Sequence, residues 1–303
     1  MKRHHFIHQF FILFGVLIIS AGVLSGCGKA SSNNSASSKI NVVAAEDFYG
    51  EVARAVGGSR VNVTSIINKP SVDPHEFEPT TGTAQSVDQA KLIIYNGIGY
   101  DSWMDKLVSA GQTNKKVLRV GEDLMNRKTG DNEHLWYNPE TMPALARQIA
   151  AELAKLDPSH AKDYQKNAAA YIAKIKPVKK LVDKLSKQAA NQTADVSEPV
   201  FDYMLQALKY KVGNRGFELA VENGNDPAPR DIAALQNDIT HHRIKFFVDN
   251  IQASDPTVNR IVALANKNNV PVVKVTETLP TGQSYTSWML GELKQIERIQ
   301  SNQ

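Results

Sequence analysis

The chain has 303 residues, 42% hydrophobic and 22% charged, which is typical of a globular protein long enough for two domains and excludes disordered and collagen-like chains. Its formal net charge is only +4, with the cations spread along predicted helices, so the sequence predicts no nucleic-acid-binding surface. The single cysteine excludes an internal disulfide framework and a thiolate-rich metal site.

The N-terminus predicts a secretory signal, because positively charged Lys2 and Arg3 precede an apolar run from Phe10 to Leu24 that is short for a bilayer span. The run ends in Leu24-Ser25-Gly26-Cys27, which resembles the bacterial lipoprotein signal, in which the cysteine is lipidated and becomes the first residue. We therefore predict a signal peptide over residues 1–26, whose removal leaves a net charge of about +2, and lipidation of Cys27. The alternative is an apolar segment that happens to precede a structural cysteine.

Residues 27–39 are predicted to form the lipidated cysteine and a flexible tether, since GKASSNNSASS holds no apolar residue beyond alanine. Each buried acyl methylene contributes about 0.8 kcal/mol, so a multiply acylated Cys27 would hold the protein firmly at a membrane. We expect the protein to be lipid-anchored on the extracytoplasmic face of the cell membrane without spanning it.

Short apolar runs alternate with helical patterns between residues 40 and 138, which predicts an N-terminal α/β lobe with a parallel sheet covered by helices. A helix is predicted from Phe48 to Val56. The predicted strands are Ile40–Ala45, Val61–Ile67, Lys91–Tyr95 and Lys116–Val120.

Residues 139–189 have a different pattern, because they lack glycine and carry alanine, leucine and lysine at helical spacing. We predict two consecutive helices that are broken near Asp157-Pro158, the second continuing past Pro177. Such a segment is longer than one layer of one domain needs, so we expect it to run along both lobes as a bridge.

Residues 190–303 predict a second α/β lobe. Predicted strands lie near Ala194–Ser197, Lys245–Val248 and Val270–Val275, and predicted helices at Val200–Tyr210, Pro229–His242, Pro256–Lys267 and Tyr285–Ile299. The predicted fold is therefore α/β with two lobes, each a mainly parallel sheet flanked by helices, joined by one long rigid helix. Ligands of such folds bind at the carboxyl ends of strands, where the lobes face each other.

Two of the eight histidines lie in unusual settings. His75 follows a predicted strand in a loop stiffened by prolines (SVDPHEFEPT), and His134 precedes the long helical segment in EHLWYNP. A single loop histidine is more often solvated, but neutral imidazole is a common ligand of transition metals, and together the pair indicates a metal site. Nearby acids that could orient the imidazoles are Asp73, Glu76, Glu78 and Glu133. The other histidines lie in the signal segment or in and at the ends of predicted helices: His4, His5, His8, His160, His241 and His242.

Two motifs and the stretch between them carry a family resemblance. The motifs are Asp73–Pro79 (DPHEFEP) and His134-Leu135-Trp136 followed by Pro139, and the stretch is Asn96–Tyr100 (NGIGY) with Trp103 and Leu107. They resemble the zinc/manganese ABC-transporter solute-binding lipoproteins over residues 40–299. The resemblance implies a monomeric receptor with the two-lobed fold, one divalent metal ion (zinc or manganese) as transported ligand, and an ABC transporter permease as partner.

The resemblance also implies two metal ligands from the second lobe. The stretch SEPVFDY places Glu198 at the third ligand position, and the loop after the last predicted strand places Glu277 at the fourth. Without the resemblance, Glu198 would be interpreted as an ordinary residue at a helix start and Glu277 as a solvated loop residue. Asp249 and Asp202 are the alternatives to Glu277.

The sequence departs from the family pattern in two respects. Residues 121–133 hold no histidine, where many zinc-uptake members insert a run of histidines and acids, and the third ligand is glutamate. Two imidazoles with two carboxylates form a harder site than three imidazoles and accept manganese as well as zinc, so the sequence leaves the metal open.

The sequence thus predicts a receptor that captures a divalent metal between two lobes and delivers it to a permease. A secreted zinc hydrolase is the first alternative, but HExxH is absent and the two histidines lie in separate loops. A surface adhesin or a binder of an organic solute is the second, but aromatic residues make up only 7% of the chain, few for an aromatic-lined cleft.

Overall fold

The computed structural model describes residues 39–302, apart from residues 113, 190 and 254. The predicted signal peptide and the predicted lipidation site Cys27 lie outside the described residues. Within the part that is described, no helix is both long enough and apolar enough to cross a bilayer.

The first lobe is built on a four-stranded parallel sheet with the strand order β2-β1-β3-β4. Val42, Val43 and Ala44 of the central strand are buried on alternating faces, because helices cover both sides of the sheet. The strands are β1 (Ile40–Glu46), β2 (Val61–Ile67), β3 (Leu92–Tyr95) and β4 (Lys116–Arg119), and the helices are α1 (Asp47–Gly57), α2 (Thr81–Gln89) and α3 (Ser102–Ala110).

Two helices follow the first lobe, α4 (Thr141–Leu156) and α5 (Ala161–Leu185). The predicted break falls where expected, at Asp157 and the short 3₁₀ turn Pro158–His160. Pro177 lies inside α5 without ending it. Buried residues recur at helical spacing along α5, namely Tyr164, Ala168, Tyr171, Ile175, Val178, Val182 and Leu185.

The second lobe repeats the architecture, with a parallel sheet in the order β6-β5-β7-β8. Its strands are β5 (Thr193–Val196), β6 (Lys211–Val212), β7 (Phe247–Asn250) and β8 (Val272–Val275). Its helices are α6 (Asp202–Ala207), α7 (Arg215–Glu222), α8 (Pro229–Thr240), α9 (Pro256–Lys267) and α10 (Tyr285–Ser301).

Helix α5 contacts both lobes, since it packs against α1 of the first and α10 of the second. Near its start the Asn167 amide donates a hydrogen bond to the Val56 oxygen (3.0 Å), and at its end Leu185 accepts one from Gln300 (3.1 Å). The predicted fold class, two α/β lobes with parallel sheets and a long helix between them, is confirmed.

Several predicted elements have different bounds in the structure, including the strand predicted from Val270, which begins at Val272. The helix predicted over Val200–Tyr210 is a 3₁₀ turn (Pro199–Phe201) followed by α6, which ends at Ala207, because Lys209 adopts a left-handed φ of 65°. The strand predicted from Lys245 begins at Phe247, where pairing with Val272 and Asp195 starts.

Candidate metal centre

A cleft of about 440 Å³ lies at the carboxyl ends of the strands, with walls from both lobes. The loop after β2 contributes His75, and the loops after β5 and β8 contribute Glu198 and Glu277. The end of α7 contributes Glu222. This location at the strand ends agrees with the expectation for a two-lobed α/β protein.

The His75 loop is held by two hydrogen bonds. The backbone N–H of His75 donates to the Asp73 carboxylate (2.8 Å), and the Trp103 indole N–H donates to the Pro74 oxygen (3.3 Å). The imidazole packs edge-on against Tyr100, with ring centroids 5.0 Å apart. The loop therefore presents the imidazole to the cleft, where its side chain is 39% exposed.

The Nε2 atom of His75 faces carboxylates from both lobes. It lies 3.5 Å from Glu133 Oε1 in the first lobe and 3.7 Å from Glu277 Oε1 in the second. Two atoms that ligate one ion at about 2.0–2.2 Å are separated by at most about 4.4 Å. Both distances are compatible with a shared ion.

His134 is almost fully buried, and its ring orientation is fixed by Asn132. The Asn132 Oδ1 atom accepts from the His134 backbone N–H (2.9 Å) and lies 3.0 Å from His134 Nδ1. With the proton on Nδ1, the Nε2 lone pair is free to bind a metal, and it lies 3.8 Å from Glu222 Oε1, whose residue lines the cleft. Burial lowers the pKa of His134 to about 3, so the imidazole is neutral.

Among the described residues, His134 Nε2 has no hydrogen-bond partner although it is buried. Its nearby carboxylate is Glu222, whose Oε1 lies 3.8 Å away. A buried nitrogen lone pair without a donor is unfavourable in the protein alone. A bound cation would satisfy it.

Asn132 also joins the His134 loop to the loop that carries Glu198. Its amide Nδ2 donates to the Pro199 oxygen (2.7 Å), and its own backbone oxygen accepts from the Tyr203 hydroxyl (2.7 Å). Glu198 is oriented by Asn250, whose amide donates to Oε2 (2.7 Å). Burial raises the pKa of Glu198.

Glu277 is held by Tyr100, whose hydroxyl donates to Oε1 (3.0 Å). Burial raises the pKa of Glu277 to about 7, against the opposing effects of His75 and of this hydrogen bond. Its loop is attached to the first lobe, since the Thr278 hydroxyl lies 3.2 Å from the Pro70 oxygen and also contacts Gln252.

The Asn96–Tyr100 stretch supports the site through Tyr100, which packs against His75 and hydrogen-bonds Glu277. The Asp101 carboxylate accepts from the backbone N–H groups of Asn96 (2.6 Å) and Gly97 (2.8 Å), and the Asn96 amide donates to the Glu133 oxygen (3.0 Å). This network positions Tyr100, which contacts both His75 and Glu277. It also fixes the backbone immediately before His134.

Two further carboxylates belong to the cluster. Donor atoms of His75, Glu133 and Glu222 all lie within 4.8 Å of one another. Burial raises the pKa of Glu133. The pKa of Glu222 is raised to about 9 by burial and by the negative charges of Glu198, Glu133 and Glu277. The sequence suggested Glu133 only as a residue that orients an imidazole, and Glu222 was not predicted. Its one local sign is that it is an acid at a helix C-terminus, where the partial negative charge of the helix makes a carboxylate unfavourable.

The two alternatives to Glu277 lie elsewhere. The Asp202 carboxylate is 3.3 Å from the Arg215 guanidinium, and it lines a separate cavity with Arg127 and Tyr203. Asp249 pairs in register with Lys274 on the neighbouring strand. Burial raises the pKa of Asp249, and the positive charge of Lys274 opposes that rise. Neither residue lines the cleft that holds His75, Glu198, Glu222 and Glu277.

Two α/β lobes around a cleft lined by carboxylates and the His75 imidazole, with the His134 imidazole buried beside Glu222, define a solute-binding protein whose cleft suits a small cation. Residues 42–299 match the family described as "Zinc-uptake complex component A periplasmic", and the chain belongs to that family. The predicted membership among the metal receptors of ABC importers is confirmed. These receptors are not enzymes, and the hydrolase alternative has no support.

Named relatives cover nearly the whole chain. The "Metal ABC transporter substrate-binding lipoprotein ScbA" of Streptococcus cristatus is 28% identical over 311 residues, covering 93% of this chain and 96% of the relative. The "Manganese ABC transporter substrate-binding lipoprotein PsaA" of Streptococcus pneumoniae serotype 4 is 27% identical over 303 residues with the same coverage.

Solved structures share the fold. The periplasmic zinc binding protein TroA of Treponema pallidum matches with a TM-score of 0.71 at 17% identity, covering 86% of this chain and 99% of that chain. A Mn-bound periplasmic metal binding protein from Candidatus Liberibacter asiaticus matches with a TM-score of 0.68 at 20% identity, covering 86% of this chain and all of that chain.

Proposed function

We propose that this protein captures one divalent transition metal ion, zinc or manganese, in the cleft between its lobes and delivers it to the permease of an ABC importer. The observation that carries the proposal is the buried Nε2 of His134, which has no hydrogen-bond partner among the described residues and lies 3.8 Å from the Glu222 carboxylate. Relatives named as metal and manganese transporter lipoproteins support the same cargo.

The proposed ligands are His75 and His134 from the first lobe and Glu198 and Glu277 from the second. Charge supports this set, because a divalent ion held only by two neutral imidazoles would be a poorly compensated buried charge. The hydrogen bonds from Asn250 to Glu198 and from Tyr100 to Glu277 orient both carboxylates toward the cleft.

The ligand set spans both lobes, which we assign to residues 40–138 and 190–303, with 139–189 as the bridge. Metal binding therefore favours the closed arrangement of the lobes by its differential affinity for that state. Because α5 packs on both lobes, the motion between them is small. Release requires the permease to separate the lobes.

We further propose that the protein acts as a monomer anchored through a lipidated Cys27. The relatives named as lipoproteins support this anchoring. Residues 28–38 form the tether that lets the two lobes reach the permease at the same membrane surface.

The test is elemental analysis and metal titration of a purified soluble form that lacks residues 1–27. We expect one equivalent of zinc or manganese, and a loss of affinity of well over tenfold in His75→Ala and His134→Ala. The matched controls are His160→Ala and His241→Ala, which lie at helix ends away from the cleft and leave binding unchanged. A protein that neither retains nor titrates a divalent metal would contradict the proposal, as would equal effects from all four variants.

A further inference from the structure

Glu222 is held in the cleft by the end of a helix. It is the last residue of α7, and Gly224 with its φ of 65° ends that helix. The N–H of Gly224 donates to the Val221 oxygen (2.9 Å), and the N–H of Asn225 donates to the Ala220 oxygen (2.8 Å). This C-terminal motif fixes the direction of the last turn. Glu222 is therefore a positioned residue of the cleft wall.

The position of Glu222 is unfavourable without a cation. A helix C-terminus carries a partial negative charge, which disfavours an adjacent carboxylate. The side chain is only 17% exposed, and the charges of Glu198, Glu133 and Glu277 act on it. A residue that breaks local rules in this way, and faces a binding cleft, points to a function in that cleft.

The distances connect Glu222 to both histidines. Its Oε1 lies 3.8 Å from His134 Nε2, the buried nitrogen without a hydrogen-bond partner in the described chain. A Glu222 oxygen also lies within 4.8 Å of the donor atoms of His75 and Glu133. One ion can contact donors separated by these distances after small side-chain rotations, because ligands at about 2.0–2.2 Å span up to about 4.4 Å.

We propose that Glu222 is a fifth protein ligand of the transported metal and that it shifts the preference of the cleft from zinc toward manganese. The inference rests on the proposed function, which supplies the ion and its other four ligands. Glu222 approaches from α7, whereas the other second-lobe ligands follow strands β5 and β8.

The coordination number determines this preference. Zinc sites with protein ligands alone are almost always four-coordinate, and His75, His134, Glu198 and Glu277 already complete such a set. Manganese favours oxygen-rich sites with more ligands, so a fifth donor that is a carboxylate stabilises bound manganese more than bound zinc. Affinity alone generally favours zinc over manganese, and a fifth carboxylate reduces that difference.

The test compares the dissociation constants for Mn²⁺ and Zn²⁺ in the wild type and in Glu222→Gln, using the soluble form and competition with chelators. The ratio Kd(Mn)/Kd(Zn) should rise about tenfold in the variant, the scale at which changes around a metal site act. The ratio cancels the loss of one negative charge, which weakens the binding of both divalent ions equally. Asp226→Asn is the control, because it removes an exposed carboxylate from the same helix-end loop and should leave the ratio unchanged.

A second variant and a spectroscopic measurement keep the test independent of folding. Glu222→Asp retains the charge but shortens the side chain, and it should raise the ratio as Glu222→Gln does. Cobalt(II) absorbs far more strongly in four-coordinate than in five-coordinate sites, so cobalt-loaded Glu222→Gln should absorb more strongly than the wild type. An unchanged ratio together with an unchanged cobalt spectrum would overturn the fifth-ligand assignment alone, whereas a wild type that binds neither metal would overturn the proposed function.

Discussion

The hydroxyl of Tyr137 lies 2.6 Å from the backbone oxygen of Thr276 and donates a hydrogen bond to it across the two lobes. The Glu292 carboxyl group supports this contact. Its Oε1 accepts hydrogen bonds from the Thr276 N–H (3.1 Å) and the Trp288 indole N–H (2.8 Å). Its Oε2 lies 3.0 Å from the Tyr137 hydroxyl. Tyr137, Trp288 and Glu292 are all buried. Since Tyr137 closely follows His134 and Thr276 immediately precedes Glu277, the network fixes the spacing of two proposed ligands.

Tyr137→Phe removes the hydroxyl from this network and should lower the free energy of unfolding. The partly buried Thr276 oxygen then lacks its donor, and an unsatisfied buried acceptor costs up to about 1–3 kcal/mol. Metal affinity should also fall, but less than in His134→Ala, because the ligands remain and only their spacing loosens. Urea denaturation of the metal-free protein and a metal titration measure the two effects.

Tyr171→Phe is the matched control for the loss of a buried tyrosine hydroxyl. Tyr171 is buried on α5, and its hydroxyl has no hydrogen-bond partner among the described residues. Its removal should leave stability unchanged or raise it, because an unsatisfied buried polar group is lost. Equal destabilisation by the two variants would show that the Tyr137 network has no special role.

Stability should depend on pH through Glu292. Burial raises its pKa from 4.5 to about 8, against the opposing hydrogen bonds from the Thr276 N–H and the Trp288 indole. Between these pH values the folded protein retains a proton that the unfolded chain has lost, so the free energy of unfolding decreases as pH rises. The slope for one such group reaches about 1.4 kcal/mol per pH unit. Below pH 4.5 both states are protonated, and above about pH 8 the full loss has occurred.

Glu292→Gln tests this pH dependence, because an amide resembles the protonated carboxyl but does not titrate. The metal-free variant should match the wild type near pH 5 and exceed it in stability near pH 9. The measurement is the urea midpoint across this range, without metal, whose binding is itself pH-dependent. A variant with the same slope as the wild type would contradict the assignment to Glu292.

Much of the fold could be predicted because its strands and long helices carry strong local patterns. The bounds of β2 match the prediction, and α5 ends within the predicted segment, since each buries apolar residues at a regular period. The exceptions are short. Helices α2, α3 and α7 were not predicted, and α7 fully buries only one apolar side chain, Phe217, which is too weak a pattern to recognise.

The site could be predicted only in part, because its residues come from separate loops. His75 and His134 are marked by proline and aromatic neighbours, which are visible in the sequence. Glu198 and Glu277 have no such mark, and the family resemblance alone suggested them. Glu222 reaches the cleft because α7 packs its opposite side into the second lobe, and no local pattern contains that tertiary arrangement.

Anchoring is tested by Cys27→Ser, in the full-length chain. Without a thiol to acylate, the protein should appear in the soluble fraction or stay unprocessed, because the acyl chains supply the membrane affinity. The metal affinity of the purified variant should equal that of the wild type, since the tether is separated in sequence from all proposed ligands. Membrane fractionation with mass spectrometry of the N-terminus distinguishes the outcomes. A processed, membrane-bound serine variant would contradict lipidation at Cys27.

The carboxylates of the second lobe should determine how strongly metal stabilises the protein. A ligand that binds only the native state stabilises it by mass action, by about 4.1 kcal/mol at a free concentration of one thousand times Kd. Calorimetry with and without metal should therefore show a higher melting temperature for the loaded wild type. In Glu198→Gln and Glu277→Gln this increment should shrink strongly, because each variant loses an anionic ligand.

Without metal, the same two variants should show an effect of the opposite sign on the melting temperature. Burial raises the pKa of Glu277 to about 7 and also raises the pKa of Glu198, because a charged carboxylate loses hydration in the cleft. An amide carries no charge that must be desolvated or that repels the neighbouring carboxylates, so the metal-free variants should melt at the wild-type temperature or above it. Asp249→Asn and Asp202→Asn lie outside the cleft and should retain the full metal-dependent increment. If Asp249→Asn or Asp202→Asn removed the increment while Glu277→Gln retained it, the fourth ligand would be reassigned. The receptor function would still stand, because the two histidines and the cross-lobe cleft are unaffected.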